Sequence, residues 1–260
     1  MSSSYDVLGN IIILKFPEGT NKKEKIKLAR QLLSERKSVK TIVEKSDRIK
    51  GRLRTLKVKH LAGKKNLIAD YVENGCRFKF NIETCYFSPR LSNERKEIAK
   101  QVKKNERVLV MFSGVAPFSV VIAKNSNAKE IYSVELGREC CKYAKENIAL
   151  NKIDNKKIKI IQGDVKKIIP KLAKNKLRFD RIVMPRPNLK DNFLKEAFFV
   201  SKKNCFVNYY SFGRERDEII KVIKNEALKF RKKVKILNVK KSGDIAPGKF
   251  RWRVDFKILN

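Results

Sequence analysis

Histidine is almost missing from these 260 residues, His60 being the single one. The five cysteines, Cys76, Cys85, Cys140, Cys141 and Cys205, are odd in number and none is spaced as CxxC. That argues against a disulfide scaffold and a zinc site and for reduced packing thiols, so no metal centre is expected. His60, beside Leu61, reads as structural rather than catalytic. Acid is also scarce, with 27 Asp+Glu against 63 Lys+Arg and a formal charge of +36. A lysine-rich composition accounts for part of this excess. Yet the basic residues run through loops and helices alike, and a polyanion such as nucleic acid is the natural partner. No apolar run approaches membrane-spanning length. The start, MSSSYDVLGN, has no basic stretch followed by an apolar one, so a soluble, cytoplasmic protein is expected.

What is present centres on residues 108–121, VLVMFSGVAPFSVV. An apolar run stops at Ser113-Gly114, turns through Val115-Ala116-Pro117 and resumes as an apolar helix. Pro117 suits a first helical position, where no backbone N–H is needed. A buried strand that turns through small residues into a helix forms the corner of an open α/β sheet, beyond which a ligand lies. One glycine would equally serve an ordinary βα turn. The next strand, however, ends at Glu135-Leu136, about 20 residues on, where such folds hold a ribose diol. A third, 158–161, runs into Gln162-Gly163-Asp164-Val165, and Asp164 could accept from an adenine amino group. Turn, acid, acid reads as an adenosine site. The corner lacks further glycines and a phosphate-loop lysine, so S-adenosylmethionine suits it better than NAD or ATP. Phe112, Ser113, Gly114, Ala116, Pro117, Glu135, Leu136, Asp164, Val165 and Met184 are the expected cofactor contacts.

Two domains are expected: a small basic α+β domain with a hinge over 1–104, and an α/β domain over 105–260. In the first, a strand over 11–16 closes at Pro17-Glu18-Gly19, and a helix over 23–36 has Ile26, Ala29, Leu32 and Leu33 on one face. A short strand covers 39–44, alternation over 52–60 suggests another, and Asn74-Gly75 turns into a strand at 77–80. The join holds Phe87-Ser88-Pro89-Arg90 and leads into an exposed basic helix reaching 104. An arginine there could meet an anionic or carbonyl oxygen with its planar fork, or pair with an interface carboxylate. Helices over 137–150, 165–173, 188–201 and 215–230 then alternate with strands at 179–184 and 205–210. An antiparallel pair, 234–240 and 251–259, closes the sheet, and the loop 242–248 is long enough to touch ligand.

Together these segments resemble the archaeal and eukaryotic tRNA (guanine(37)-N1)-methyltransferases over nearly the whole chain. The most specific part is YFSPRL with ER at Glu94-Arg95. It is supported by YDVLGNIIILKF, ENGCRFKF, MFSGVAPFSV, KYAKENIALNK, the GDV turn, FDRIVM and NYYSF. The resemblance implies a Rossmann-like class I methyltransferase sheet with a small N-terminal α+β domain. It also implies S-adenosylmethionine at the corner, lined by Phe87 as well, and methyl transfer to guanine N1 just 3′ of the anticodon of tRNA, bound by its anticodon stem-loop to a monomeric enzyme. Some members carry an extra small domain ahead of the first one here, so reduced contact with the outer corner of the tRNA is expected.

Guanine N1 keeps its proton at neutral pH, so transfer needs a base and a donor for the charge developing on O6. Arg90 is the candidate donor and Glu139 the nearest carboxylate after Glu135. Two departures stand out: Val110 where members usually have an acid, and Pro185-Arg186-Pro187 where they have Asn-Leu-Pro. Either the Pro185 carbonyl and Arg186 substitute for the lost amide, or the substrate differs. The rival readings are a wyosine-pathway aminocarboxypropyl transferase with the same cofactor, and a silent basic RNA-binding protein.

Overall fold

Ile11 to Leu14 are apolar on both faces, as an interior strand requires. In the computed structural model, which describes residues 4–46, 51, 53, 55–185 and 191–260, the strand bearing them has a neighbour on each side. Its contacts divide the chain into two units, Met1–Pro89 and Arg90–Asn260, so the helix that follows Arg90 groups with the larger unit and the division falls ahead of residue 104.

In the smaller unit, β1 (Ser4–Leu8) and β2 (Ile11–Lys15) form a hairpin, α1 (Lys22–Glu35) crosses over, and β3 (Thr41–Lys45) pairs parallel to β2. Asn21 caps α1 by accepting from the Lys23 amide at 2.9 Å. β4 (Val58–Gly63) completes the order β1-β2-β3-β4. The strand expected over 52–60 thus starts later, because β3 offers partners only from Lys45, opposite Val58; positions 52 and 54 lie outside the described residues. Ile12, Leu14, Ala29, Leu32 and Ile42 make the core.

β5 (Ile68–Glu73) and β6 (Cys76–Asn81) form a second hairpin. Its two-residue loop, Asn74-Gly75, has φ of 48° and 72°, the left-handed pair that a tight hairpin of matching twist requires. Gly9 has no room for a side chain, since a Cβ would lie 1.8 Å from the Asp70 carbonyl oxygen. Asn10 beside it accepts from the Asp70 amide at 2.7 Å, tying the hairpin to the sheet.

The larger unit begins at Arg90, within a 3-10 turn, Pro89–Leu91, that runs into α2 (Ser92–Gln101). It continues as β7 (Arg107–Met111), α3 (Pro117–Asn125), β8 (Glu130–Glu135), α4 (Arg138–Leu150), β9 (Ile158–Gln162), α5 (Val165–Lys174), β10 (Phe179–Met184), α6 (Leu194–Val200), β11 (Ser201–Gly213), α7 (Arg216–Lys229), β12 (Val234–Ala246) and β13 (Lys249–Ile258). The sheet order is β12-β13-β11-β10-β7-β8-β9. Strands β9, β8, β7, β10 and β11 are parallel, and β13 is antiparallel to both β11 and β12. Packing of α2 on α3 and α3 on α4, and separately of α5 on α6 and α6 on α7, gives the sheet a helical layer on each face.

Three expectations change. The helix reaching 104 ends at Gln101 and is not simply exposed, because Glu94, Arg95, Ile98 and Ala99 are buried. The helix over 188–201 starts only at Leu194, whose amide is accepted by Asn192 Oδ1, and 186–190 lie outside the described residues. The supposed ligand loop 242–248 is a paired ribbon: Ala246 faces Lys249 across a Pro247-Gly248 turn, so its polar groups are engaged in the ladder.

Candidate active site

The parallel strands deliver their carboxyl ends at one level. Met111 pairs with Val134, Glu135 with Gln162 and Val183 with Val110. The carboxyl ends of β7, β8, β9 and β10 therefore lie side by side along one edge of the sheet, bordering the crevice position where open α/β sheets bind ligands.

The corner after β7 is wound tightly, with left-handed φ at Phe112 (56°), Gly114 (58°) and Ala116 (64°). Two of these are not glycine, a strain that surrounding bonds must hold. The Ser113 amide donates to Val134 O at 3.0 Å and the Ala116 amide to Ser113 O at 2.9 Å. Gly114 N–H donates to Glu135 Oε2 and Gly137 N–H to Oε1, both at 2.8 Å. From α4, Asn147 Nδ2 donates to Val115 O at 3.2 Å. The amides of 113, 114 and 116 are thus already engaged and do not form a cradle for phosphate, in keeping with the missing glycines.

Glu135 is 8% exposed and braces two loops at once. Each of its oxygens has a second lone pair, so it can accept hydroxyl donors in addition. Ser113, 5% exposed, has a buried Oγ with no hydrogen-bond partner among the described residues. A buried unsatisfied hydroxyl is costly unless a ligand meets it. Asp164 caps α5, its Oδ1 accepting from Lys166 N at 2.9 Å. Phe112 is half-buried and meets Phe193 edge to face at 4.9 Å, making an apolar wall between β7 and α6. Lys166 Nζ lies 5.6 Å above the Phe193 ring and pairs with Asp191 at 2.6 Å. An acceptor pair, an orphan hydroxyl, an acid and an aromatic wall fit a nucleoside better than a polyphosphate.

Other expected residues sit differently. Val165 and Met184, 3% and 2% exposed, pack in the hydrophobic core that also holds Phe193. Met184 alternates with Val183 and shares the face of Ile182, which the helices on that side cover. Leu136 is half-buried after β8, and Pro117 opens α3. Phe87 is buried in the smaller unit, stacked on Phe80 at 4.8 Å and edge to face with Tyr71, as a packing residue of the second hairpin. Glu139 is exposed in the first turn of α4, a favourable place for an acid at a helix N-terminus. Pro185 is half-buried just past β10, and Arg186 lies outside the described residues.

Arg90 is exposed on the 3-10 turn. Hydrogen bonds fix the course of α2 from there. Glu94 accepts from Tyr210, one residue past Tyr209, which pairs with the last residue of β10. Gln101 O accepts at 2.8 Å from Arg181, which pairs with Val108 near the strand starts. The helix descends from the carboxyl to the amino end of the sheet, so Arg90 stands at the crevice end. Sequence reasoning missed Phe193, Tyr210 and Arg253; of these only Tyr210, in the NYYSF motif, carried a local signal. Burial pushes the Tyr209 phenol up to about 12, leaving it a neutral donor.

Residues 69–237 match the TRM5/TYW2 methyltransferase domain and residues 1–66 the TYW2 N-terminal domain. A relative from Pyrococcus abyssi, tRNA (guanine(37)-N(1))-methyltransferase Trm5b, is 33% identical over 99% of this chain and 76% of its own length. The tRNA (guanine(37)-N(1))/4-demethylwyosine(37)-methyltransferase Taw22 of Nanoarchaeum equitans is 33% identical over 98% of this chain and 100% of its own. Among solved structures, a complex of aTrm5 and tRNALeu superposes with a TM-score of 0.87 at 30% identity, covering 99% of this chain and 72% of that one.

Proposed function

Because the chain belongs to the TRM5/TYW2 methyltransferase family, we propose that it transfers the methyl group of S-adenosylmethionine to N1 of guanine 37 in tRNA. The observation that carries this reading is the buried Glu135 carboxylate beside the orphan Ser113 hydroxyl, at a corner whose amides are turned inward. Glu135 would accept the ribose hydroxyls on its remaining lone pairs and Asp164 the adenine amino group, with Phe112 and Phe193 as the apolar wall. Ser113 Oγ would donate to a polar group of the cofactor. When bound, S-adenosylmethionine supplies an electrophilic methyl on a sulfonium centre.

Arg90 is the donor for the charge that grows on guanine O6 as N1 loses its proton. Glu139 would receive the N1 proton, or the Pro185 carbonyl would accept its hydrogen bond, with Arg186, next in the sequence, replacing the lost donor. The charge of +36 supports an RNA substrate gripped through phosphates, and we take one chain, acting in the cytoplasm on the anticodon stem-loop, as the working unit. Among the described residues no helix is long and apolar enough to cross a membrane.

Incubation of unmodified tRNA with cofactor labelled in its methyl group tests the reading: label at N1 of guanine 37 is the expected outcome, and unlabelled RNA overturns it. The match of residues 1–66 to the TYW2 N-terminal domain favours one second reading, transfer of the aminocarboxypropyl group. Cofactor labelled in the carboxyl carbon distinguishes it, since only that reaction leaves this label in RNA.

A further inference from the structure

The turn bearing Arg90 is continuous with α2, and α2 is held down by charged groups to which the transfer reaction assigns no part. Glu94, four residues after Arg90, is 4% exposed. Its Oε2 accepts from the Tyr210 hydroxyl at 2.8 Å and from an Arg253 guanidinium nitrogen at 2.6 Å, while Oε1 lies 3.3 Å from Lys240 Nζ. The same Arg253 nitrogen also reaches Glu97 at 2.9 Å, and its Nε lies 3.1 Å from Asp255. Arg95 is 1% exposed and lays its guanidinium over the Phe118 ring, 5.8 Å from the centroid, in the first turn of the corner helix α3. Gln101 anchors the far end to Arg181 and Asn208.

A helix that only had to cover a sheet would do so with apolar side chains, because burying an ion pair rarely adds stability over well-packed hydrophobic residues. What hydrogen-bonded charges add is direction: Oε2 of Glu94 has two donors at fixed angles, and these define the rotation of α2 about its axis. Burial, with Glu94 alongside, holds the Tyr210 phenol well above its ordinary value, so it stays a donor. Burial works against the charge of Arg253, but its anionic neighbours outweigh it and keep the guanidinium protonated.

We propose that Glu94, clamped by Tyr210 and Arg253, is a positioning residue for Arg90: the clamp sets the height and aim of the turn from which the guanidinium meets guanine O6. This rests on the methyl-transfer reading above. The clamp joins β11 and β13 to the reacting end through one carboxylate, and its failure would leave the cofactor crevice intact while misplacing the donor.

The test is a double-mutant cycle on the full chain with tRNA and S-adenosylmethionine. Glu94→Gln keeps the shape and removes the charge, and should lower kcat by about ten- to hundredfold through misplacement of the donor. KM for the cofactor should stay within about twofold. Tyr210→Phe removes a single hydroxyl and should lower kcat by about threefold; should Glu94→Gln not fold, it takes that place in the cycle. In the Arg90→Ala background either substitution should have no further effect on kcat. Losses that multiply overturn the proposal, since they show Glu94 acting independently of Arg90. Hydrogen exchange gives a readout without catalysis: amides 96–99 should exchange faster in Glu94→Gln while those of β7 and β8 do not change, and unchanged exchange at 96–99 also overturns the clamp. A wild type that binds cofactor but leaves tRNA unmethylated would sink the transfer reading and Arg90's role, whatever the exchange shows of the clamp.

Discussion

Glu135 performs two tasks that one substitution can separate. Its carboxylate accepts the Gly114 and Gly137 amides, both at 2.8 Å, at 8% exposure. In Glu135→Gln the side-chain amide can still accept one of them through its oxygen, but its NH2 then faces the other N–H, donor against donor. Losing a hydrogen bond to a buried charged group costs about 1.5–3 kcal/mol. For a unit the size of Arg90–Asn260 each kcal/mol lowers Tm by about 2–4 °C, so a fall of about 3–12 °C without cofactor is expected. A ribose hydroxyl deprived of its carboxylate partner should weaken cofactor binding by about ten- to hundredfold. Calorimetric titration with S-adenosylmethionine and scanning calorimetry without it measure the two effects. A fall in Tm with unaltered affinity would show that Glu135 is only a brace of the corner; unaltered values of both would refute the reasoning altogether.

Three further outcomes follow from the same geometry. Arg90→Ala should reduce kcat by about 10²–10³ with cofactor affinity unchanged, and an equal loss in both would show its role misassigned. Ser113→Ala removes a hydroxyl that has no partner among the described residues, so the cofactor-free protein should be as stable or up to about 1 kcal/mol more stable, while cofactor affinity falls about fivefold; a lowered cofactor-free Tm would contradict this. Hydrogen bonds from Lys240 and Arg253 hold the Glu97 carboxyl below its ordinary value, and for Glu130 those from Lys159 and Arg107 outweigh an opposing burial. Folded values below the unfolded one mean stability that is present above pH 4.5 and lost as pH falls below it. Replacing both by Gln should flatten the fall in Tm over that acid range, and an unchanged slope would count against these contacts.

The corner was legible because its signals are local: a strand, a small-residue turn and a helix in one stretch, then acids at the next two strand ends. The core packing of Val165 and Met184 was not legible, because a position just past a strand does not say which face a side chain takes. The loop 242–248 contains serine, glycine and proline and so reads as irregular, yet cross-strand partners such as Arg251 opposite Gly243 draw it into a ribbon. The sequence SNERKEIAKQ looks solvated by composition. Its buried side is ionic, satisfied by Arg253 and Tyr210 far along the chain, and no local pattern announces such partners. The Rossmann-like alternation of strands and helices, closed by an antiparallel pair, agreed with expectation because such an alternation leaves few ways to wind a sheet.

The bond from Glu94 to Arg253 joins residues 159 apart. At about 5–20 residues per second, a nascent chain has α2 for roughly ten to thirty seconds before the strand that fastens it is made. During translation the strands of the cofactor crevice leave the ribosome first, and the arginine turn is locked only as the last strand is added. Synthesis broken off before Arg253 would leave two helix carboxylates without their guanidinium, and on the proposed reading such a fragment is born without a working methyl-transfer end.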